Sequence, residues 1–343
     1  MRTIVFAGGG TAGHIIPNFA LIDELKSEFN CVYIGGDGME KSLCEKRGIP
    51  FHTIPTVKFR RDAIYKNFGV PFKLHACVKA AKKILDEIKP SLIFSKGGYA
   101  ALPVVLAARK IPVLCHESDL SAGLATKLSK RKSEKVLCAF KPCAESFKNG
   151  VHVGTPLCKS LYRGAKNKAA YGLSGNKPVL AVIGGSSGAT ALNDITVAAL
   201  PELLQKFDVI HMTGKNKSGA PKQNGYCPIE FENDMARLYA TSDIVLSRAG
   251  ANALGECIAL KIPTVAVPLE KASRGDQLQN AEYYGKSGAI EVLRENELTP
   301  ETLVATIQKV YENRYKYIAA MSMLSVDGTD KICGIIKESI RNA

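Results

Sequence analysis

The chain has 343 residues, enough for two domains, and its 46% hydrophobic and 23% charged residues are the balance of a soluble globular protein. Its 46 Lys and Arg against 32 Asp and Glu leave a net charge of +14, which asks for an anionic partner; without RRM-type aromatics, a helix-turn-helix or a zinc-finger pattern, an anionic membrane surface is favoured over nucleic acid. No apolar run approaches the roughly 18 residues of a bilayer span, the apolar start over 3–7 meets glycine too soon for a signal peptide, and ten cysteines without a C-x-x-C pair speak against zinc and for reduced thiols, so a cytoplasmic location is expected.

Along the first half, strand-like apolar runs at 3–7, 32–34, 91–95, 112–115 and 135–137 alternate with helical patterns at 17–26, 71–88 and 100–108. Such alternation predicts βαβ units and a parallel sheet. Gly154-Thr155-Pro156 through Gly164, with the polar stretch 166–177 after it, marks a boundary. The rhythm then restarts, with strands at 179–183, 209–212, 243–246 and 264–267 and helices at 189–204, 252–260 and 277–284. Ile332, Ile335, Ile336 and Ile340 form one apolar stripe on a final helix, which needs a surface to cover. The chain therefore reads as a domain over 1–160, a second over 161–318, and a terminal segment over 319–343.

Two glycine-rich turns follow strands and open helices: Gly8-Gly9-Gly10-Thr11-Ala12-Gly13-His14, and Gly184-Gly185-Ser186-Ser187-Gly188. Turns of this kind expose backbone N–H groups beside a helix N-terminus, where aligned peptide dipoles favour anions. The first satisfies the dinucleotide fingerprint formally. Its next strand, however, ends in Gly35-Gly36, and Asp37 comes too late to hold a ribose, which speaks against a nicotinamide or flavin dehydrogenase. Further glycine turns stand at Lys96-Gly97-Gly98-Tyr99 and Arg248-Ala249-Gly250. His14, at the positive end of a helix with Pro17 in its first turn, is biased towards the neutral imidazole that suits a general base on a sugar hydroxyl; a capping or packing histidine is the alternative. His116-Glu117-Ser118-Asp119 closes another strand, where the alternative is a salt-bridged structural cluster.

In the second half, Ser186 can donate to a phosphate, and Glu256, one to two turns beyond Gly250, can bind ribose hydroxyls or stand as a solvated charge. Arg274-Gly275-Asp276-Gln277 opens a helix on which Gln277 and Asn280, three residues apart, can face one ligand. There is no D-x-D pair and no His/carboxylate metal cluster, so leaving-group charge falls to amides and helix dipoles, and no cofactor is expected. From 58 to 83 the chain mixes cations with aromatic and aliphatic residues, a composition suited to an anionic bilayer surface or, alternatively, to an amphipathic helix with a solvated basic face.

Taken in order, these motifs resemble the MurG family of bacterial N-acetylglucosaminyltransferases over essentially the full length. The resemblance rests on residues 9–14, 96–99, 116–119, 184–186, 247–250 with Glu256, and 274–277 with Asn280. It implies an α/β chain of GT-B architecture, two Rossmann-like doubly wound parallel-sheet domains facing a cleft, with the final helix returning to the N-terminal domain. The implied reaction is inverting, metal-independent transfer of N-acetylglucosamine from UDP-N-acetylglucosamine to the C4 hydroxyl of undecaprenyl-diphosphate-linked N-acetylmuramyl-pentapeptide (lipid I), giving lipid II.

By the same resemblance, His14 and Glu117 are catalytic, and Thr11, Ala12, Gly13, Asp119, Ser186, Arg248, Gly250, Glu256, Gln277 and Asn280 bind the donor. Gly9, Gly10, Gly97, Gly98 and Tyr99 bind the acceptor diphosphate. Phe59, Arg60, Arg61, Phe68, Phe72 and Lys73 touch the cytoplasmic face of the cell membrane, with cell-wall synthesis proteins as further partners. The chain departs from the family pattern at Ala101, at Cys158 and at Asp119, where many relatives have asparagine. Rival readings are a same-fold UDP-sugar epimerase, a transferase to another acceptor, and a catalytically silent membrane-bound UDP-binding scaffold.

Overall fold

The computed structural model describes residues 1–58, 69–185, 189–215, 217, 219–270 and 275–342. Phe59, Arg60, Arg61, Phe68 and Ser186 lie outside the described residues. The chain forms two units, Met1–Cys158 with Asp327–Ala343, and Lys159–Val326.

Unit 1 carries seven parallel strands: β1 (Thr3–Ala7), β2 (Asn30–Gly35), β3 (Phe51–Thr53), β4 (Leu92–Ser95), β5 (Val113–Glu117), β6 (Lys135–Cys138) and β7 (Gly150–His152). Their order in the sheet is β3-β2-β1-β4-β5-β6-β7. Helices α1 (Ile16–Leu25), α2 (Met39–Lys46), α3 (Val70–Ile88), α4 (Leu102–Ala107), α5 (Leu124–Ser129) and α6 (Lys141–Glu145) form the connections. A parallel sheet covered on both faces buries every residue of its central strands, which is why β1 reads as an unbroken apolar run. Ile4 and Phe6 pack with Phe19, Ile22 and Leu25 of α1, whereas Val5 and Ala7 pack on the opposite face with Ala81 and Leu85 of α3 and Val104 and Val105 of α4.

Unit 2 repeats the plan with β8 (Val179–Ile183), β9 (Asp208–Met212), β10 (Tyr226–Ile229), β11 (Ile244–Ser247), β12 (Thr264–Ala266) and β13 (Glu291–Val292), ordered β10-β9-β8-β11-β12-β13. Its helices are α7 (Thr190–Lys206), α8 (Met235–Thr241), α9 (Ala251–Ala259), α10 (Asp276–Lys286), α11 (Pro300–Glu312) and α12 (Arg314–Ser322). Leu180 and Val182 face Leu200 and Leu203 of α7 and Ile307 of α11; Val179, Ala181 and Ile183 face Leu238 of α8 and Cys257 of α9. The last helix, α13 (Thr329–Asn342), belongs to unit 1: Ile332, Ile336 and Ile340 are buried in the same cluster as Phe19 and Leu25. Burying each such side chain contributes about 1.5–3 kcal/mol, so the stripe anchors the chain end firmly.

In each sheet the strand order reverses once, between β1 and β4 in unit 1 and between β8 and β11 in unit 2. Open parallel sheets bind ligands at such switch points, beyond the carboxyl ends of the strands. Register levels those ends: Ala7 lies opposite Ser95 and Ser95 opposite Cys115, while Ile183 lies opposite Ser247 and Ser247 opposite Ala266. All the glycine turns named from the sequence leave these strand ends.

Candidate active site

In unit 1 the turns after β1 and β4 interlock. Gly10 has φ 89°, and a β-carbon there would stand 2.4 Å from the Tyr99 ring; Gly98 has φ 80°, and a β-carbon there would stand 2.6 Å from the Gly9 carbonyl and 3.5 Å from the His14 ring. Only glycine satisfies both the left-handed backbone and the close approach. Gly9, Gly10, Gly98, Tyr99 and His14 are therefore gathered at one point, with Gly97 beside them. His14 is half-buried and closes the single 3-10 turn Ala12–His14 that precedes α1. Its Nδ1 lies 3.0 Å from the Thr11 hydroxyl and its backbone N–H donates to the Thr11 carbonyl, which orients the ring.

Two carboxylates order the loops around this point. Glu40, on α2 and 1% exposed, accepts the N–H of Gly36 at 3.1 Å and that of Gly10 at 3.3 Å. The protein's own anion thus occupies one of the amides of the first glycine turn. Glu117 accepts from the Asp119 N–H at 3.2 Å, the Gly123 N–H at 2.8 Å and the Thr126 hydroxyl at 2.7 Å. It ties the end of β5 to the start of α5. Beside it His116 is buried, with Nε2 2.9 Å from the Gly154 carbonyl and Nδ1 without a partner. Burial, then the charge of Lys96, holds its pKa well below the ordinary imidazole value. Only an N–H can bond a carbonyl, so Nε2 carries the proton. Lys96, closing β4, is buried and donates to the Ser118 hydroxyl.

In unit 2, among the described residues, nothing lies within 4 Å of where a β-carbon would point at Gly185 (φ 83°), Gly250 and Gly275 (φ 78°). Gly250 is the N-cap of α9, whose first N–H groups are unpaired within the helix and attract anions. Glu256, half-buried on α9, accepts from the Tyr239 hydroxyl at 2.7 Å. Burial raises its pKa to about 7, with that hydrogen bond opposing.

Arg248 is placed differently from a ligand-facing cation: its buried guanidinium donates to the Glu295 carboxylate at 2.7 Å and to the Val267 carbonyl at 3.2 Å. The side chain ties the end of β11 to the segment after β13. The Gln277 side-chain carbonyl accepts the Leu269 N–H at 2.9 Å, and Asn280 is fully buried on the same helix. In unit 1, Phe72 is 78% exposed on the face of α3 away from buried Cys77, Ala81 and Leu85, and Lys73, one turn before Cys77, is exposed as well.

The sequence reading missed Glu40, Lys96 as a side chain, Tyr239 and Glu295. A signal for Glu40 was available, an acid in the first turn of a helix opening on Gly36-Asp37-Gly38. The other three act through contacts that no local pattern announces.

The N-terminal domain model of glycosyltransferase family 28 matches residues 4–138 and the C-terminal domain model residues 179–332. The chain belongs to glycosyltransferase family 28. It is a glycosyltransferase built of two Rossmann-like domains. A relative from Lachnoclostridium phytofermentans, named UDP-N-acetylglucosamine--N-acetylmuramyl-(pentapeptide) pyrophosphoryl-undecaprenol N-acetylglucosamine transferase, is 44% identical, the alignment covering 98% of this chain and 99% of that protein. One of the same name from Lachnospira eligens is 42% identical over 99% of both. The crystal structure of Acinetobacter baumannii MurG, 25% identical, aligns with a TM-score of 0.74 over 98% of this chain and 100% of that one. The calicheamicin glycosyltransferase CalG4, 16% identical with a TM-score of 0.72, shares the fold over 100% of this chain and 99% of its own.

Proposed function

We infer that this family 28 enzyme transfers N-acetylglucosamine from UDP-N-acetylglucosamine to the C4 hydroxyl of lipid I, forming lipid II. The observation that carries the reading is the 44% identity, across nearly the whole chain, to a transferase named for that donor and acceptor. The glycine turns at both switch points support it, because both substrates are diphosphates.

In this reading the Gly184-Gly185 turn, Ser186 and the α9 N-terminus at Gly250 receive the donor diphosphate, while Glu256 takes a ribose hydroxyl and Gln277 and Asn280 complete the pocket. Arg248 acts through the turn it anchors. The turn Gly97-Gly98-Tyr99, with Gly9 and Gly10, receives the acceptor diphosphate, and residues 11–13 with Asp119 approach the donor sugar. The acceptor oxygen attacks the sugar C1 as the C1–O bond to UDP breaks, inverting that centre. His14 takes the proton of the attacking hydroxyl, and the charge on departing UDP is met by amides and the α9 dipole. Glu117 serves by holding the 119–126 loop that faces the reaction.

The test is UDP release and lipid II formation from UDP-N-acetylglucosamine and a short-chain lipid I analogue, with and without acceptor and with EDTA. Acceptor-dependent, EDTA-resistant product is expected. Conversion of the nucleotide sugar alone would instead indicate an epimerase, and UDP binding without transfer a silent scaffold. His14→Ala should lower turnover at least about a hundredfold with donor binding retained; near-normal turnover would remove His14 as the base.

Among the described residues no helix is long and apolar enough to cross a membrane. Attachment to the cytoplasmic membrane face is proposed to run through the basic stretch, with Phe72 and Lys73 as the described contact residues; Phe59, Arg60, Arg61 and Phe68 belong to the same proposal. Each cation near an anionic surface contributes about 1 kcal/mol. Joint Phe72→Ala and Lys73→Glu substitution should weaken co-sedimentation with phosphatidylglycerol vesicles about tenfold or more. Equal sedimentation of the variant and the parent would sink this surface.

A further inference from the structure

Directly after β4 stands a buried ammonium that the proton transfer to His14 does not use. Lys96 is 2% exposed, and an ammonium withdrawn from water is costly unless its surroundings offset the loss. Its Nζ donates to the Ser118 hydroxyl, reaching from the end of β4 to the loop that follows β5. The charged and titratable groups that face it are Glu117, Asp119 and His116. His116 is no counter-charge, since burial keeps it neutral.

The Glu117 carboxylate accepts from three donors, and Asp119, half-buried, stands one residue beyond the hydroxyl that Lys96 holds. Two acids at a strand end repel a diphosphate, and the charge of Lys96 is felt by both.

We propose that Lys96 is a positioning residue for the transfer: its ammonium holds the Ser118-Asp119 loop and balances the Asp119 carboxylate, so that an acid can stand at a strand edge that must admit a diphosphate. This rests on the reading that the Gly97-Gly98 turn receives the acceptor diphosphate. Burial lowers the Lys96 pKa to about 8 against the pull of both carboxylates, so the charge is lost within a pH range that an assay can reach.

The experiment measures steady-state transfer to the lipid I analogue by the parent enzyme, Lys96→Met, Asp119→Asn and the double variant. Lys96→Met should raise the acceptor KM about tenfold or more with kcat within about threefold, and adding Asp119→Asn should bring KM back to within about threefold of the Asp119→Asn value. The parent's acceptor KM should rise above about pH 8, and the double variant's should stay flat there. A double variant as impaired as Lys96→Met, or an unchanged KM in Lys96→Met, overturns the proposal. Should Lys96→Met lack a cooperative thermal transition, the pH profiles of the parent and Asp119→Asn decide: a weaker alkaline rise in Asp119→Asn supports the proposal, and identical or flat profiles overturn it. A parent enzyme that transfers nothing to lipid I overturns the underlying reading as well; one that transfers normally while the rescue fails overturns the role of Lys96 alone.

Discussion

At the switch point of unit 1 the glycines are hemmed in. A β-carbon at Gly8, Gly9, Gly10 or Gly98 would come within 2.6 Å of another atom, and the Gly10 amide is already bonded to Glu40. At the switch point of unit 2, a β-carbon at Gly185 or Gly250 would meet nothing within 4 Å among the described residues, nor would one at Gly275 at the start of α10. Both units place glycine turns beyond level strand ends. In unit 1, Gly10 and Gly98 let backbone and ring pack together, bringing the His14 ring against Gly98. In unit 2, among the described residues, a side chain at these positions would meet no neighbour. The same residue type thus meets different surroundings, close packing at one turn and room for a side chain at the other.

The most severe way to break this contrast is to add one methyl group to each site. Gly98→Ala forces a left-handed alanine against the Gly9 carbonyl and should cost about 2–4 kcal/mol of stability, with transfer reduced at least about a hundredfold because the His14 ring shares the contact. Gly250→Ala meets no neighbour, and its φ of −67° and ψ of 131° suit any residue. Its thermal stability should stay within about 1 kcal/mol, the difference between glycine and alanine at an N-cap, while donor affinity falls. Thermal unfolding and donor titration of both variants check this; equal destabilisation of the two would remove the distinction between a packed and an open turn.

How much of this was readable beforehand follows from the range of the interactions. β1, β4, β8 and β11 announce themselves because burial on both faces makes them continuous apolar runs ending in glycine, and the two switch-point turns follow directly. The edge strands β3, β7 and β13, of three, three and two residues, are too short for any periodicity and are partly exposed, so no sequence signal separates them from loop. Strand β10 and helices α2, α5, α6, α8, α11 and α12 were likewise unassigned. At the site, glycine identity was legible because it reports local backbone need. The direction of a side chain was not: Arg248 reads as a ligand-facing cation until Glu295, 47 residues on, takes its guanidinium. For Glu117, which the family resemblance makes catalytic, the three donors of the following loop that converge on it leave no mark in the local sequence.

A subtler contrast concerns the acids themselves. Glu40 and Glu117 each accept backbone N–H groups, whereas Glu256 accepts from the Tyr239 hydroxyl and burial raises its pKa to about 7. A carboxylate accepts a ribose hydroxyl; its protonated form has less acceptor capacity and must donate its own proton elsewhere. The pKa is raised, so the acceptor form dominates above about pH 7 and is lost as the pH falls through that value. UDP-N-acetylglucosamine affinity, measured by calorimetry, should therefore weaken up to about tenfold between pH 8 and 6, since its diphosphate diester does not titrate in that range. Glu256→Gln, which cannot ionise, should bind about threefold to tenfold more weakly at pH 8 and show no such slope. A variant whose slope matched the parent's would place the titrating group elsewhere and leave α9 with its N-terminus as its one contribution to the donor.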